Sequence, residues 1–362
     1  MGDVTAYLAN LGGVWGVHPL STGAVALMSG IVALLVCLNG QALGEAAGLM
    51  DRPDGQRKVH TKATPLVGGV AVIGGMVVGV GYLAVAQPAV TTFVLGAAAI
   101  VLASFAIGTA DDRNHVCPWR RLISLAALAA ITVTAVPALN VRLLHFELPD
   151  VQMGLWWLSV PFTVFALLCL KNGLNMADGV DGLAPGIVLG WFVLILPWAQ
   201  GFAPEVVPIL LVALAAMAVV FGFNWVGAVF LGDAGSYGLS FLAGVLAIYV
   251  YNNAGGALPA ELVALWFLIP VLDMGRLLVQ RRAAGRHPFE PDRNHLHHLL
   301  LQAMDKRSAV LLYLALVVVP PALVTLEIKL LPFAIVGSLA GYLGLLAVGR
   351  RAPARRLTPV HE

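Results

Sequence analysis

The sequence predicts an all-α polytopic membrane protein with about eleven transmembrane helices. Of its 362 residues, 59% are hydrophobic and only 11% are charged, whereas roughly a quarter of the residues in an ordinary soluble domain are charged. The mean hydropathy is +0.88. Apolar stretches of about 20 residues, the length of a helix that crosses the hydrocarbon core, recur along the chain. We therefore treat residues 1–362 as a single integral-membrane domain.

Turn-forming residues separate the apolar stretches and allow them to be counted. Examples are Gln87-Pro88 and Leu331-Pro332, where proline interrupts the helical pattern. Residues 4–18 are apolar but rich in glycine, and we expect an interfacial segment there, with a twelfth span as the alternative. The predicted spans lie near residues 22–40, 66–86, 92–109, 121–138, 153–170, 184–200, 205–222, 236–252, 261–280, 309–327 and 331–349.

The basic residues predict the orientation of these spans. All but two of the 21 lysines and arginines lie in the loops after the odd-numbered spans, at the end of the ninth span or in the C-terminal tail. The exceptions are Arg142 and Lys329. Because cytoplasmic loops are enriched in lysine and arginine, we expect the basic face to be cytoplasmic, with the N-terminus outside and the C-terminus inside.

Five aspartates lie in short loops or at span ends on this same face: Asp111, Asp112, Asp178, Asp181 and Asp233. A charge near the bilayer centre costs roughly 2.5–3.5 kcal/mol, so ionisable residues at span edges are candidates for function. A single aspartate there would be explained as a solvated loop charge. Five of them, in three loops that turn toward one side, favour a functional site.

Glycines and hard oxygen donors in these loops indicate the kind of ligand. Glycine lets a backbone approach a phosphate closely, and glycines flank both Asp181 and Asp233. Carboxylates and amides without cysteine or histidine at ligand spacing suit Mg²⁺, which usually combines one or two protein ligands with substrate phosphates. The flanking residues are Gly179, Gly182, Gly232 and Gly235.

The loop after the ninth span contains a histidine cluster, HPFEPDRNHLHHLL at 287–300. His295, His297 and His298 lie close to Arg293, and such a cluster suits a metal site, a proton relay or an anion clamp. Because the cluster is expected beside a cation site that accepts a diphosphate, we favour the interpretation that it binds an anion together with Arg293.

Five motifs, in this order, resemble the polyprenyl-phosphate N-acetylhexosamine-1-phosphate transferases, and most closely their WecA type, which is related to MraY. They span all five predicted cytoplasmic loops, so the resemblance is specific although an Asp-Asp pair alone would not be. The motifs are DRPDGQRKVHTKATPLVGG (51–69), ADDRNH (110–115), NGLNMADGVDGLAPG (172–186), FLGDAGS (230–236) and PFEPDRNHLHH (288–298).

The resemblance implies transfer of a sugar 1-phosphate, with GlcNAc as the default sugar, from a UDP-N-acetylhexosamine to undecaprenyl phosphate in the lipid bilayer. UMP and a lipid-linked diphosphate sugar are the expected products, in the first membrane step of cell-envelope polysaccharide synthesis. It also implies Mg²⁺ as cofactor, with Mn²⁺ as a substitute, a homodimer, no nucleic-acid partner, and a site on the cytoplasmic side of the bacterial inner membrane.

Roles for individual residues follow from the resemblance alone. It places Asp233 and Asn175 on Mg²⁺, Asp178 on the uracil side of the donor, Phe230 stacked on the base, and Asn172 with the substrate-binding residues. Asp111 and Asp112 would position or deprotonate the acceptor phosphate, a choice left open, and Asp181 joins the catalytic set by proximity alone. The residues that would hold the diphosphate are Arg121, Arg293, His295, His297 and His298, with Lys58 in a matching basic segment.

The chain departs from the family pattern in two places. Asn114-His115 stands where an acid often follows the Asp-Asp pair, and Lys171 stands where an uncharged residue is more usual. Asp273 and Arg276, one turn apart in the ninth span, fit a structural pair as well as a catalytic one.

Rival functions fit the sequence less well. An MraY-type enzyme, which transfers a phospho-MurNAc-peptide, tends to show a different histidine run. A CDP-alcohol phosphotransferase and a prenyl synthase each require aspartate patterns that DGVDGLAPG and DDRNH do not supply. A secondary transporter would place its binding residues near the midplane, where the predicted spans are almost free of charge.

Overall fold

The computed structural model describes residues 19–52, 63–86, 91–288, 290 and 292–352. These ranges are almost entirely helical, with two short antiparallel strand pairs. The helices are α1 Pro19–Leu38, α2 Gly40–Ala47, α3 Gly68–Ala86, α4 Thr91–Asn114, α5 Pro118–Ala135, α6 Ser159–Ala177, α7 Leu183–Phe202, α8 Val207–Trp225, α9 Gly232–Asn253, α10 Ala260–Ala283, α11 Leu296–Ala303, α12 Lys306–Leu326 and α13 Leu331–Arg351. The strands are β1 Met50–Asp51, paired with β2 Thr64–Pro65, and β3 Leu143–Phe146, paired with β4 Val151–Gly154.

Eight of the described helices are long and apolar enough to cross a membrane, or nine if α1 and α2, bent by 72°, form one span. This confirms the prediction of an all-α polytopic membrane protein. Each of the eleven predicted spans coincides with a helix, but three of those helices do not pass the length and hydropathy test on their own. Helix α1 passes only together with α2, the apolar part of α3, Gly68–Gly81, is short, and α5 carries Arg120 and Arg121 in its first turn. The count of eleven and the orientation stay predictions.

Helix α9 lies at the centre of the bundle and is buried from Ala234 to Tyr251. Its sequence, GDAGSYGLSFLAGVLAIYVYNN, has one charged residue and is rich in small residues, which let neighbouring helices pack closely. Helices α3, α4, α6 and α7 surround it. Helix α3 packs closely against α9 where Gly69 meets Gly235. A Cβ atom on Gly69 would lie 2.4 Å from the backbone nitrogen of Gly235.

The β3–β4 hairpin and a pair of tryptophans lie at the end of the bundle where α9 finishes. The Tyr251 hydroxyl accepts the backbone N–H of His145 at 2.8 Å, which ties the hairpin to α9. Trp156 and Trp157 are 84% and 81% exposed, as expected of aromatic side chains at a membrane–water interface. The aspartate-bearing loops lie at the opposite end of α9.

Candidate active site

A glycine lets helix α4 touch the beginning of α9. A Cβ on Gly108 would lie 2.4 Å from the carbonyl oxygen of Asp233, so a larger residue would push the two helices apart. Asp111 and Asp112 follow Gly108 by one turn. The close contact therefore carries both carboxylates to the N-terminus of α9.

Asp112 caps the first turn of α9 from the neighbouring helix. Its carboxylate accepts the backbone N–H of Asp233 at 2.8 Å and that of Ala234 at 2.9 Å. First-turn N–H groups have no partner within their own helix, and a negative charge beside them is favourable. Gly232 has a φ of 75°, and a Cβ there would come within 2.9 Å of the Asp112 carboxylate. Both oxygens of Asp112 thus hold α9 in place.

Asp111 is only 2% exposed, and both of its oxygens are engaged. Oδ1 accepts the backbone N–H of Val116 at 2.8 Å. Oδ2 accepts the hydroxyl of Tyr237 at 2.7 Å and the guanidinium of Arg121. A buried carboxylate requires this combination of hydrogen bonds and an opposite charge. Arg121 also donates to the Tyr237 hydroxyl at 3.1 Å.

Asp233 is more accessible than Asp111, with its side chain 30% exposed. The amide nitrogen of Asn175 donates to Asp233 Oδ1 at 2.6 Å and to Ser236 Oγ at 3.1 Å. Asp233 Oδ2 lies 3.9 Å from Arg121 Nη1. The structure therefore brings together the residues that the sequence assigns to the metal, Asp233 and Asn175.

The donor atoms at this point fit Mg²⁺. One carboxylate and one amide oxygen are hard ligands, and Mg²⁺ characteristically completes its coordination with water and substrate phosphates. Within the described ranges, no group of three or more histidine, cysteine, aspartate or glutamate side chains could hold a metal ion. The residues that would hold such an ion are Asp233 and Asn175, whose amide nitrogen donates to Asp233 in the ligand-free structure.

A cavity of about 280 Å³ opens beside Asn175, between α5, α6, α10 and the segment that leads into α11. Its wall includes the ion pair of Arg281 and Asp292, whose charged atoms lie 2.7 Å apart. Apolar side chains of Met274 and Leu278 complete that side. The residues predicted from the sequence that line the cavity are Arg121, Asn172, Asn175, His295, His297 and His298.

The three histidines of the cluster meet at the beginning of α11. The rings of His295 and His297 are stacked with centroids 5.2 Å apart, and those of His297 and His298 are 4.2 Å apart. His297 Nε2 is buried without a hydrogen-bond partner among the described residues, and a Cβ on Gly179 would lie 2.7 Å from it.

His297 and His298 have lowered pKa values, so these two rings are neutral at pH 7 when no ligand is bound. Burial, followed by the charges of His298 and His295, lowers the pKa of His297 well below 6.5. Burial, followed by the charges of His295 and Arg293, lowers the pKa of His298 to about 4. In this state the two rings offer hydrogen bonds rather than positive charge, and an anion beside them would raise both pKa values.

Asp273 joins the histidine cluster to α10 and α13. Its carboxylate accepts Arg276 Nη2 at 2.7 Å, the Tyr342 hydroxyl at 2.9 Å and the backbone N–H of Leu296 at 3.2 Å. His295 Nδ1 lies 3.3 Å from the same carboxylate. The spacing of Asp273 and Arg276 indicated their pairing. Nothing in the sequence could indicate Tyr342, which lies 69 positions away.

Asp178 and Asp181 have different surroundings. Burial, followed by the charges of Asp233, Asp112 and Asp181, raises the pKa of Asp178 to about 8. The Asp178 carboxyl group has no hydrogen-bond or ion-pair partner among the residues described. Asp181 forms an ion pair with Lys306 at 2.9 Å, at the start of α12, and does not line the cavity.

Phe230, Arg293 and Lys58 complete the residues predicted from the sequence. Phe230 is half-buried, and its backbone pairs with Pro65 and Gly68, between β2 and the start of α9. Arg293 is exposed beside the histidines. Neither residue lines the cavity. Lys58 lies outside the described residues.

Sequence reasoning missed Tyr237, which hydrogen-bonds Asp111 and Arg121. A signal was available, because Tyr237 follows Asp233 by four positions in a helix and must therefore share its face. It also missed the ion pair of Arg281 with Asp292. That pairing depends on how the loop after α10 folds back, which local spacing does not determine.

The sequence matches one family model and resembles several bacterial enzymes. Glycosyl transferase family 4 matches residues 91–251, from α4 to near the end of α9. The undecaprenyl-phosphate α-N-acetylglucosaminyl 1-phosphate transferase of Yersinia pestis is 33% identical over 74% of each chain. The enzyme of the same name from Escherichia coli (strain K12) is 29% identical over 75% of each chain. A probable undecaprenyl-phosphate N-acetylglucosaminyl 1-phosphate transferase of Bacillus subtilis (strain 168) is 26% identical over 73% of each chain.

Proposed function

The chain belongs to glycosyl transferase family 4, and on that premise we propose that it transfers N-acetylglucosamine 1-phosphate from UDP-GlcNAc to undecaprenyl phosphate. UMP and a lipid-linked diphosphate sugar are the products, and the reaction begins the synthesis of a cell-envelope polysaccharide. The observation that carries this proposal is the contact of Asn175 with Asp233, beside a cavity lined by Arg121 and the histidine cluster.

The geometry suits a reaction between a lipid and a soluble nucleotide. An oxygen of the lipid phosphate attacks the phosphorus that bears the sugar, and the bond from that phosphorus to the bridging oxygen breaks, so that oxygen leaves with UMP. The acceptor phosphate lies at the membrane surface while the donor arrives from water. A site at the ends of α4, α6 and α9 meets both requirements.

Both reactants are anionic, so the protein must offset their repulsion. Arg121 supplies positive charge at the cavity wall, and its contact with Asp111 fixes its position. Asp233 and Asn175 would hold Mg²⁺, or Mn²⁺ in its place. When bound, the ion would neutralise phosphate charge and polarise the transferring phosphoryl group.

Asp111 and Asp112 are assigned to holding the site together. Their oxygens already accept backbone, tyrosine and arginine donors. A general base is not required, because a phosphate monoester with a second pKa of about 6 is largely ionised at neutral pH. The resemblance assigns Asp178 to the uracil side of the donor, and a carboxyl group whose pKa burial raises to about 8 would donate a hydrogen bond to a ring carbonyl at pH 7.

The finer topology forms part of the proposal. We place the chain in the bacterial inner membrane with eleven spans, and with the ends of α4, α6 and α9 facing the cytoplasm. The support is the concentration of lysine and arginine at those ends and the exposed Trp156 and Trp157 at the other end. A homodimer is expected from the family resemblance alone.

A donor panel tests the proposal. Purified full-length protein with undecaprenyl phosphate and Mg²⁺ is given UDP-GlcNAc, other UDP-N-acetylhexosamines and UDP-MurNAc-pentapeptide in separate reactions. Mass spectrometry should detect GlcNAc-diphosphate-undecaprenol and an equal amount of UMP. Turnover of UDP-MurNAc-pentapeptide alone would support the MraY-type alternative, and no product with any donor from folded protein would refute the proposal.

A further inference from the structure

Lys171 is a buried cation that pairs with no carboxylate in the described part of the chain. It lies in α6, next to Asn172, and is only 4% exposed. Among the residues that the structure describes, its ammonium nitrogen donates to Asn172 Oδ1 at 3.1 Å and lies 3.8 Å from the centroid of the Tyr237 ring. The described part of the chain contains no carboxylate within 4.0 Å of that nitrogen. An ammonium has three donors, and one amide oxygen and one ring face satisfy it incompletely.

A buried charge without an ionic partner is unfavourable for folding. A cation–π contact with the ring of Tyr237 offsets part of the desolvation free energy of the ammonium group. A methionine of similar length at this position would have no charge to desolvate. Arg121, which bonds the hydroxyl of the same ring, adds repulsion from a second cation. A residue that destabilises the ligand-free protein and lines a cavity is a candidate for ligand binding.

The cavity identifies the ligand chemistry. Lys171 lines it together with Arg121 and Asn172, and the histidines lie across from them. Two neighbouring aspartates are bonded elsewhere: Asp111 accepts from Arg121 and Tyr237, and Asp233 accepts from Asn175. An anion that enters the cavity would meet the ammonium of Lys171 directly.

We propose that Lys171 binds an anionic phosphate oxygen of a substrate inside this cavity. The inference rests on the proposed function for the identity of the two substrates that carry such a group. Those substrates are the diphosphate of the donor and the monophosphate of the lipid acceptor. The role is one of binding and orientation.

The experiment compares the wild type with Lys171→Met, and uses Lys329→Met as the matched control because Lys329 is an exposed lysine near α13. Purified full-length proteins in nanodiscs are titrated with UDP and with UMP. Separately, kcat and KM are measured for UDP-GlcNAc and for undecaprenyl phosphate. Thermal unfolding of the ligand-free proteins is recorded in parallel.

Loss of one charge-assisted hydrogen bond should weaken phosphate binding by roughly tenfold or more. If the donor diphosphate is the ligand, Kd for UDP rises and KM for UDP-GlcNAc rises with it. If the acceptor is the ligand, KM for undecaprenyl phosphate rises instead. In either case the Tm of Lys171→Met should equal or exceed that of the wild type, because a buried charge is removed.

Unchanged UDP binding and unchanged KM for both substrates would overturn the inference, as would a Tm well below that of Lys329→Met, since that result identifies a structural lysine. The proposed function fails separately. A wild type that binds UDP through Lys171 but forms no lipid product refutes the transferase while leaving the phosphate site intact.

Discussion

At the residue scale, the Asp-Asp pair has hydrogen-bond partners that its sequence context did not indicate. The resemblance assigns Asp111 and Asp112 to the acceptor phosphate, whereas their oxygens are bonded to Arg121, Tyr237 and the first turn of α9. The sequence predicted that these residues lie on the same side as Asp233, and the structure brings them to the start of α9. The sequence could not reveal their partners, because those partners lie more than 100 positions away for all but Arg121 and Val116.

Replacing Asp112 with alanine tests its role as a helix cap. The change leaves the backbone N–H groups of Asp233 and Ala234 without an acceptor, and we expect a loss of about 1–3 kcal/mol in stability together with lower activity. Thermal unfolding in detergent measures the first effect. Asp150→Ala, in an exposed turn of the hairpin, is the control. An unchanged Tm with abolished turnover would instead indicate direct participation of Asp112 in the reaction.

The pH dependence of the Tm should reveal the lowered pKa of His298. The pKa of His298 in the folded protein, about 4, lies below the reference value of 6.5. Between these values the unfolded chain binds a proton that the folded protein does not, so stability is complete above about pH 6.5 and falls as the pH decreases toward 4. His298→Gln should reduce the drop in Tm between pH 7 and pH 5. An equal drop in both proteins would show that His298 titrates normally.

At the element scale, hydropathy was sufficient to locate the long helices. All eleven predicted spans coincide with helices. A run of about 20 apolar residues in a bilayer must satisfy its backbone hydrogen bonds internally, and a helix does so. The short elements were not predicted. Strands β3 and β4 have four residues each, and α2 and α11 have eight each, too few for a periodic pattern to be distinctive.

The meeting of α4 with α9 explains why glycine occupies position 108. The sequence suggested that glycines near the aspartates cradle phosphate, but Gly232 accommodates Asp112, Gly179 accommodates His297, and Gly108 accommodates the backbone of Asp233. These glycines let protein elements approach each other. Through these contacts they place the carboxylates, while direct cradling of a phosphate by the glycines stays a prediction.

Gly108→Ala should disturb the site without touching any proposed ligand. The new methyl group would overlap the Asp233 carbonyl, and overpacking of this kind costs roughly 1–3 kcal/mol. We expect lower Tm and reduced turnover. Gly337→Ala in α13, where a Cβ meets nothing within 4 Å, should be neutral or slightly stabilising. Full activity in Gly108→Ala would mean that the spacing of α4 and α9 is not critical.

At the scale of the whole molecule, charge and aromatic residues predict opposite membrane faces for the two ends of α9. Cys117 is exposed at the start of α5, on the face that we expect to be cytoplasmic. Asp150 lies in the hairpin at the other end.

A membrane-impermeant maleimide can test this orientation. In intact cells it should label Asp150→Cys in a background without Cys117, and it should label native Cys117 only in inverted vesicles. The reverse pattern would contradict the proposed orientation and would place the active site outside the cytoplasm. Labelling of both positions in intact cells would indicate leaky membranes, which a cytoplasmic marker protein checks.

The central claim is that the start of α9, with Asp233 beside Asn175, forms the catalytic centre of a phosphoryl transfer. The most direct test is the rate of Mg²⁺-dependent UMP release by Asp233→Asn, with UDP-GlcNAc and undecaprenyl phosphate as substrates. The substitution keeps the size of the side chain and removes its charge, so we predict a loss of roughly 100-fold or more with membrane insertion and Tm preserved. Turnover close to that of the wild type, with the same dependence on Mg²⁺, would contradict the account.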